Sequence, residues 1–364
     1  MKQTAIPCTL MRGGTSKGPF FVAADLPSDP QLRDRVLLAA LGSPDVRQID
    51  GVGGADPLTS KVALVGPPTR PDADVDYLFL QVVVGEARVD TSQNCGNMLA
   101  GVGPFAIERG LVRAADSYTD VRIHMVNTAS VAVAHVETPG GVVRYDGEAR
   151  IDGVPGTAAP IRIDFIDIAG GSCGALLPTG NVRDRIEDVD VTMIDNGMPV
   201  VVMRAADFDQ TGRETPAQME ADTGLRAHVE RVRLAAGRAM NLGDVAKKNV
   251  PKMCLVAPPQ NGGAISTRNF IPHAVHKAIG VFGAVSVATA CALPGSIAAD
   301  IAGASASGTQ AWEIEHPTGF FTVEMEVAVE ANGLAVRRSA LLRTARALMR
   351  GDLLVPGDIW SNAR

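Results

Sequence analysis

Apolar and polar residues alternate through much of this chain, and that alternation predicts strands. The segments IPCTLM (6–11), FFVAADL (20–26), KVALVG (61–66), DYLFLQVVVGEARVD (76–90), VRIHMVNTASVAVAHVET (121–138), IRIDFIDIA (161–169), VDVTMIDNGMPVVVMRA (189–205) and FFTVEMEVAVE (320–330) are rich in β-branched residues. Several keep the period of two that gives a strand one wet and one dry face. Helical spacing is rarer. PQLRDRVLLAAL (30–41) is amphipathic and reads as peripheral, and 216–239 reads as charged and exposed. Segments 97–109 and 277–292 are apolar nearly all round, which predicts two buried helices.

Strands, a buried helix and further strands follow one another twice. The chain therefore reads as an α+β protein of two similar domains, each a curved β-sheet wrapped round a central buried helix. Its 364 residues exceed what one core usually fills. The turn-rich stretch LLPTGNVRDRIED (176–188) supplies a boundary. The first domain then covers 1–184, joined by the C-terminal segment 340–364, and the second covers 185–339. Two such domains enclose a cleft, a common place for a small ligand.

Composition narrows the partners. Aromatic residues make up 4% of the chain, too few for a base-stacking platform. The net charge of −6 argues against a phosphate-backbone binder, so no nucleic acid is expected. A small acidic ligand remains possible, because a few local cations can define a site. The five Cys (8, 95, 173, 254 and 291) are scattered without a CxxC pair, which suggests neither a disulfide framework nor a zinc site. A reducing cytoplasm is the expected compartment. The N-terminal MKQTAIPCTLMRGG has too short an apolar stretch for a signal peptide. The apolar stretch between Lys277 and Pro294 falls short of the roughly 20 residues of a spanning helix, so no membrane is expected.

The chemistry concentrates in one stretch, QNCGNMLAGVGPFAIERGL (93–111). Cys95 precedes a segment of helical character, which places its thiol at a helix N-terminus. Unpaired amides and the helix dipole there favour negative charge. Such a position activates a thiol and also holds a carboxylate. A buried structural Cys is the ordinary alternative. The flanking Asn94, Gly96 and Asn97 and the other glycine-rich loops favour the active reading.

MRGGTSKG (11–18) offers backbone amides, the hydroxyls of Thr15 and Ser16 and the cations Arg12 and Lys17. It is either an anion-binding turn or a plain hairpin turn, and it lacks the spacing of a phosphate loop. DGVGGADPLTSK (50–61) ends on Lys61 at the start of an apolar strand. Partial desolvation favours the neutral amine and hence a base, whereas snorkelling to the surface is the alternative. GVGPFA (101–106) matches GxGxxA, but Pro104 intrudes and no strand precedes it, so a dinucleotide site is rejected. DNGMP (195–199) is a further polar turn. Arg268, in ISTRNF after a glycine-rich loop, suits a carboxylate. His273 and His276 follow it, and EHPTG (315–319) gathers His316, Thr318 and Gly319. Six His so widely spread make no metal site, and no cofactor motif is present. The set describes a cofactor-free enzyme that moves protons on a small polycarboxylate, whose C–H bonds its carboxylates acidify.

These motifs resemble the diaminopimelate epimerase-like superfamily, whose mark is NCGN before a central helix. More specifically the chain is similar to the methylaconitate isomerase group within it. MRGGTSKG, DGVGGADPLTSK, QNCGNMLAGVGPFAIERG, ALLPTGN, DNGMP, NVPKMC, STRNFIPH, GVFGAVSVATA and EHPTG carry the likeness over nearly the whole length. The resemblance implies two sheet-and-helix domains with the active site between them. It implies acid/base roles for Cys95 and Lys61. It implies carboxylate binding by Arg12, Thr15, Ser16 and Lys17, by Asn94, Gly96 and Asn97, and by Arg268, His316, Thr318 and Gly319. The implied reaction is keto–enol tautomerisation or an allylic 1,3 shift on 4-oxalomesaconate, in gallate-type aromatic-acid breakdown. Methylaconitate or aconitate is the alternative substrate, and a non-catalytic small-acid binder the alternative class. A homo-oligomer is left open. The two-thiol racemases of the superfamily carry an opposed thiol on each central helix. Here Cys291 stands toward the far end of the second one, which favours a Lys/Cys isomerase.

Overall fold

The computed structural model describes residues 3–166, 168–272, 274–303, 308–330 and 333–361. His273 lies outside them. In chain order the elements are β1 (Gln3–Gly13), β2 (Ser16–Val22), α1 (Pro30–Leu41), β3 (Lys61–Gly66), β4 (Val75–Val82), β5 (Val89–Asp90), α2 (Gly96–Glu108), β6 (Ser117–Met125), β7 (Ser130–Thr138) and β8 (Ile161–Ile166). There follow β9 (Asp184–Ile186), β10 (Val189–Asp195), β11 (Pro199–Arg204), α3 (Pro216–Ala221), α4 (Thr223–Ala239), β12 (Lys252–Ala257), β13 (Ile265–Ile271), β14 (Ala274–Val275), α5 (Val281–Ala292) and α6 (Ile297–Ala302). The chain ends with β15 (Gly308–His316), β16 (Gly319–Glu330), β17 (Gly333–Arg343) and β18 (Ala345–Pro356).

Two compact units divide the chain. The first comprises 1–163 and 342–364, and the second 164–341. The turn-rich stretch 176–188 belongs to the second unit. Long runs that read as single strands are hairpins. Gly85 at φ +80° turns the run 76–90, and Gly197 at φ +83° turns 189–205. Among the described residues no helix is long and apolar enough to cross a membrane.

In the first unit β18 and β1 pair antiparallel, as do β1 and β2. β2 and β3 pair parallel, β3 and β4 antiparallel, β4 and β6 parallel, and β6 and β7 antiparallel. β5 adds antiparallel to the end of β4. The sheet curls round α2, which touches β1, β2, β3, β4, β6, β7 and β18. Phe20 on β2 meets Phe105 of α2, with ring centroids 5.7 Å apart. The opposite face packs on α1, where Ile6, Cys8, Phe21, Val62, Leu64, Leu80 and Leu353 surround Val36, Leu37 and Leu41. Asp29 caps α1 by accepting from the Leu32 amide, Pro30 opens it, and Gly42 in the left-handed region closes it.

The second unit repeats the order. β10–β11 is antiparallel, β11–β12 parallel, β12–β13 antiparallel, β13–β15 parallel and β15–β16 antiparallel. The buried helix α5 falls between the fourth and fifth of these strands, as α2 does in the first unit. α5 touches β10, β11, β15 and β16. The charged stretch 216–239 breaks at Asp222, whose carboxylate accepts from the Leu225 amide and starts α4 anew.

Strand alternation decides what each face of the first sheet carries. Phe20 faces α2, so Gly18 and Ser16 on the same strand face it too. A Cβ at Gly18 would collide with the carbonyl of Lys61 where β3 begins. Gly18→Ala should therefore cost about 3 kcal/mol, the upper range for overpacking. Chemical denaturation checks this, and an unchanged midpoint would contradict the close approach of β2 and β3.

Candidate functional site

Cys95 is the N-cap of α2. Its backbone is extended at φ −128°, ψ 100°, and no side chain caps the helix. The first intrahelical bond runs from the Leu99 amide to the Cys95 carbonyl at 3.0 Å. The amides of Gly96, Asn97 and Met98 precede it and have no partner inside the helix. They open at the helix N-terminus, where the helix dipole is positive. Cys95 is half-buried, whereas the free thiols of Cys8, Cys173, Cys254 and Cys291 are buried. Burial pushes up the thiols of Cys173, Cys254 and Cys291, which suits them to packing.

β4 holds the backbone of Cys95 and the amine of Lys61. Its residues Tyr77, Phe79 and Gln81 share the α2 face by alternation. The Tyr77 hydroxyl donates to the Cys95 carbonyl at 3.2 Å, and burial raises that phenol well above its ordinary value. The Phe79 ring lies beneath Lys61, with Nζ 5.1 Å from the centroid. Gln81 stands directly across from Lys61 in the β3–β4 register and accepts from Nζ at 2.6 Å. Lys61 is 8% exposed. The sequence expectation named Cys95 and Lys61, and both stand on the α2 side of one sheet.

The β1–β2 hairpin closes on Gly14 and Thr15, with Gly13 opposite Ser16. Gly14 sits at φ +51°, and a Cβ there or at Gly13 would strike Asn97. Asn97 fastens the turn, because its Nδ2 donates to Thr15 Oγ1 at 3.1 Å and its Oδ1 accepts from the Thr15 amide at 3.4 Å. Ser16 Oγ is buried on this face with no hydrogen-bond partner. Asn94 donates through Nδ2 to Thr128 Oγ1 at 2.6 Å, while its Oδ1 is buried without a partner. Unpartnered buried polar atoms are costly, and here two flank the end of α2.

Arg12 and Lys17 are not brought to the thiol. They oppose each other across the hairpin and alternate with Gly13 and Ser16, so they leave on the face away from α2. Arg12 Nη1 donates to Gly14 O and Thr344 O at 2.9 Å and to Thr344 Oγ1 at 3.0 Å. Burial, with Arg346 close by, lowers its guanidinium. Together with Tyr145, Thr157 and Arg346 it lines a cavity of about 330 Å³.

Arg268, His316, Thr318 and Gly319 belong to the second unit. Arg268 is 7% exposed on β13, where its Nε donates to Glu214 O at 2.6 Å and its Nη1 to Thr267 O at 2.9 Å. Burial lowers its guanidinium, against the pull of Glu214 and Glu315. Glu315 accepts from the amides of Gln260, Asn261 and Gly263 and so fastens the glycine-rich loop. His316 ends β15, its Nδ1 accepting from the Thr318 amide at 3.3 Å, and Thr318 Oγ1 donates to Lys277 O at 3.1 Å. Gly319 pairs with His316 across this turn. Asp195 of DNGMP accepts from the Ser172 and Cys173 amides at 2.8 Å, and burial raises its carboxyl. Among the described residues no cluster of His, Cys, Asp or Glu could hold a metal ion.

Sequence reasoning missed Tyr77, Gln81 and Arg343. The first two sit in an apolar run that reads only as strand, although Gln81 is its one amide. Arg343 is a lone charge in SALLRTA, which is a usable signal. It is 6% exposed, and burial alone lowers its guanidinium to about 9.

The family model described as PrpF protein matches residues 3–356. The chain is 58% identical over 360 residues to the 4-oxalomesaconate tautomerase of Pseudomonas putida, covering 99% of each. It is 60% identical over 349 residues to the (4E)-oxalomesaconate Delta-isomerase of Novosphingobium sp., covering 96% of this chain and 97% of that one. A solved methylitaconate-delta-isomerase superposes with a TM-score of 0.83 at 37% identity, covering 100% of both chains.

Asn97→Ala removes both bonds to Thr15. We expect a loss of about 1–3 kcal/mol in unfolding free energy, the range for freed buried polar partners. Denaturant titration measures it, and a loss within error would show that the turn holds without Asn97.

Proposed function

Because the chain belongs to the PrpF protein family, we propose that it is an isomerase that tautomerises 4-oxalomesaconate by proton transfer between Lys61, Cys95 and substrate carbon. The observation that carries this reading is Cys95 at the uncapped start of α2, its carbonyl held by Tyr77 of β4, while Gln81 of the same strand holds the Lys61 amine. The identities of 58% and 60% to relatives named for oxalomesaconate support the substrate.

The geometry serves the chemistry in three ways. A substrate with an oxo group conjugated to carboxylates has an acidified C–H bond. Removing that proton spreads negative charge over the oxo and carboxylate oxygens. The amides of Gly96, Asn97 and Met98 and the helix dipole stabilise this charge as it develops. Asn94 and Ser16 bring polar atoms that the protein leaves unpartnered, and Thr15 is held beside them. Lys61 and Cys95 then act as base and acid, one taking the proton and the other returning it elsewhere. This set needs neither metal nor organic cofactor, because the substrate's own carbonyl delocalises the charge. The setting we propose is cytoplasmic breakdown of gallate-type aromatic acids.

We expect Cys95→Ala and Lys61→Ala each to lower kcat at least about 100-fold, the scale for a positioned acid or base. Cys95→Ser should fold and remain slow, since a hydroxyl is a far weaker acid than a thiol. Ultraviolet absorbance follows the conjugated double bonds, and in deuterated water the product should carry solvent deuterium on carbon where the new proton is delivered to carbon rather than to oxygen. Dialysis against a chelator should leave the rate intact. Near-normal turnover in both folded Ala variants would sink the mechanism. Turnover of methylaconitate with none of oxalomesaconate would overturn the substrate.

A further inference from the structure

Lys61 is the one candidate acid–base group whose partner can be identified atom by atom. Its Nζ donates to Gln81 Oε1 at 2.6 Å. The other end of that amide settles its orientation. Gln81 Nε2 faces three backbone carbonyls, those of Ser60 at 3.0 Å, Pro57 at 3.1 Å and Val82 at 3.3 Å. Only a donor can occupy that place, so the oxygen must face Lys61.

The Gln81 anchor is itself fixed. Ser60 is fully buried, and its hydroxyl proton is shared between Gln48 Oε1 at 2.7 Å and Asp56 O at 2.9 Å. The Ser60 carbonyl also accepts from the Val82 amide at 3.1 Å. Lys61 and Gln81 are cross-strand partners, so the sheet register sets their spacing. The Phe79 ring closes the underside of the ammonium. The glycine-rich loop that ends at Lys61 thus serves as a socket for the Gln81 amide.

A neutral partner in that place matters. A carboxylate within about 4–6 Å would hold a lysine in its charged form. An amide oxygen directs the amine without adding a charge that fixes its proton. We infer that Gln81 is the positioning residue for Lys61: it aims the amine along the α2 face without placing a charge beside it. This rests on the acid–base role proposed above for Lys61.

Gln81→Glu and Gln81→Met are assayed for 4-oxalomesaconate turnover over a wide pH range, with Lys61→Ala beside them and circular dichroism as the check on folding. In Gln81→Glu the limb of the pH–rate profile governed by Lys61 should move to higher pH by at least about one pH unit, the low end for an added opposite charge. Its kcat/KM near neutral pH should fall at least about tenfold. Gln81→Met keeps the length and removes the acceptor. Its kcat should fall at least about tenfold with KM within about threefold, and its limb should not move upward. Equal losses in both variants with unmoved limbs would make Gln81 a structural residue and overturn the inference. So would wild-type kinetics in folded Gln81→Met, or failure of both variants to fold. If Lys61→Ala itself turns over normally, the acid–base reading falls. If Lys61→Ala is inactive while both Gln81 variants behave as wild type, only the role of Gln81 falls.

Discussion

A helix buried on every side can offer chemistry only at its ends. Every residue of α2 except Asn97 and Glu108 is buried. Seven strands touch this helix, and its glycines admit the ring of Phe20 at Gly101 and the side chain of Val136 at Gly103. No side chain along its length is free to meet a ligand. The N-terminal end is where the proposed site lies. There the unpaired amides demand a partner, and no side-chain cap supplies one. A capping Ser or Asp at position 95 would satisfy an amide and tighten the helix. Cys95 leaves those donors for something else. The absence of a cap and the presence of a thiol are two sides of one choice.

The second unit keeps the frame and changes the end. α5 is buried at every residue, and its N-cap is Gly280, which brings no thiol. Cys291 lies in its last turn and is fully buried. The polar residues of α5 face inward and fasten a loop. Ser286 Oγ accepts from the Asn196 amide at 3.1 Å and donates to Met198 O at 2.8 Å, and Thr289 Oγ1 accepts from Asn196 Nδ2 at 2.9 Å. The DNGMP turn, which reads from sequence as a further polar turn, is thus held by α5. Two units with the same strand order divide the work of a thiol-bearing helix end and a helix-bound turn.

The sequence shows this frame wherever periodicity is strong. PQLRDRVLLAAL is α1 to the residue, and 97–109 is α2 within one residue at each end. The segment 277–292 starts late, because Gly280 adopts an extended backbone and defers the helix to Val281. The strands β12, β13, β15, β17 and β18 escape a reading by alternation. In β17 and β18 the charges of Arg337, Arg338, Arg343, Arg346 and Arg350 interrupt the pattern, and in β18 Leu348, Met349 and Leu354 are apolar yet exposed. Cys95 and Lys61 were legible as types in unusual places. Gln81 and Tyr77 were not, because their meaning lies in the β3–β4 register, which no local pattern reveals.

The MRGGTSKG loop shows how little separates a useful cation from one aimed elsewhere. A two-residue turn at Gly14 and Thr15 makes Gly13 and Ser16 partners, and Arg12 and Lys17 the next pair. Side chains alternate, so the two pairs must face opposite ways. Gly13 and Gly14 let the turn close against Asn97, and a Cβ at either would strike it. The same constraint expels both cations of the loop to the other face. What the loop gives the α2 side is neutral: the Thr15 and Ser16 hydroxyls and close-packed backbone. Such a lining suits a proton transfer. A fixed cation binds the carboxylates of substrate and transition state almost equally, whereas amides aimed at the oxygen that gains charge favour the transition state. Selectivity for the developing charge then comes from where the dipoles point, and the buried helix is what keeps them pointing there.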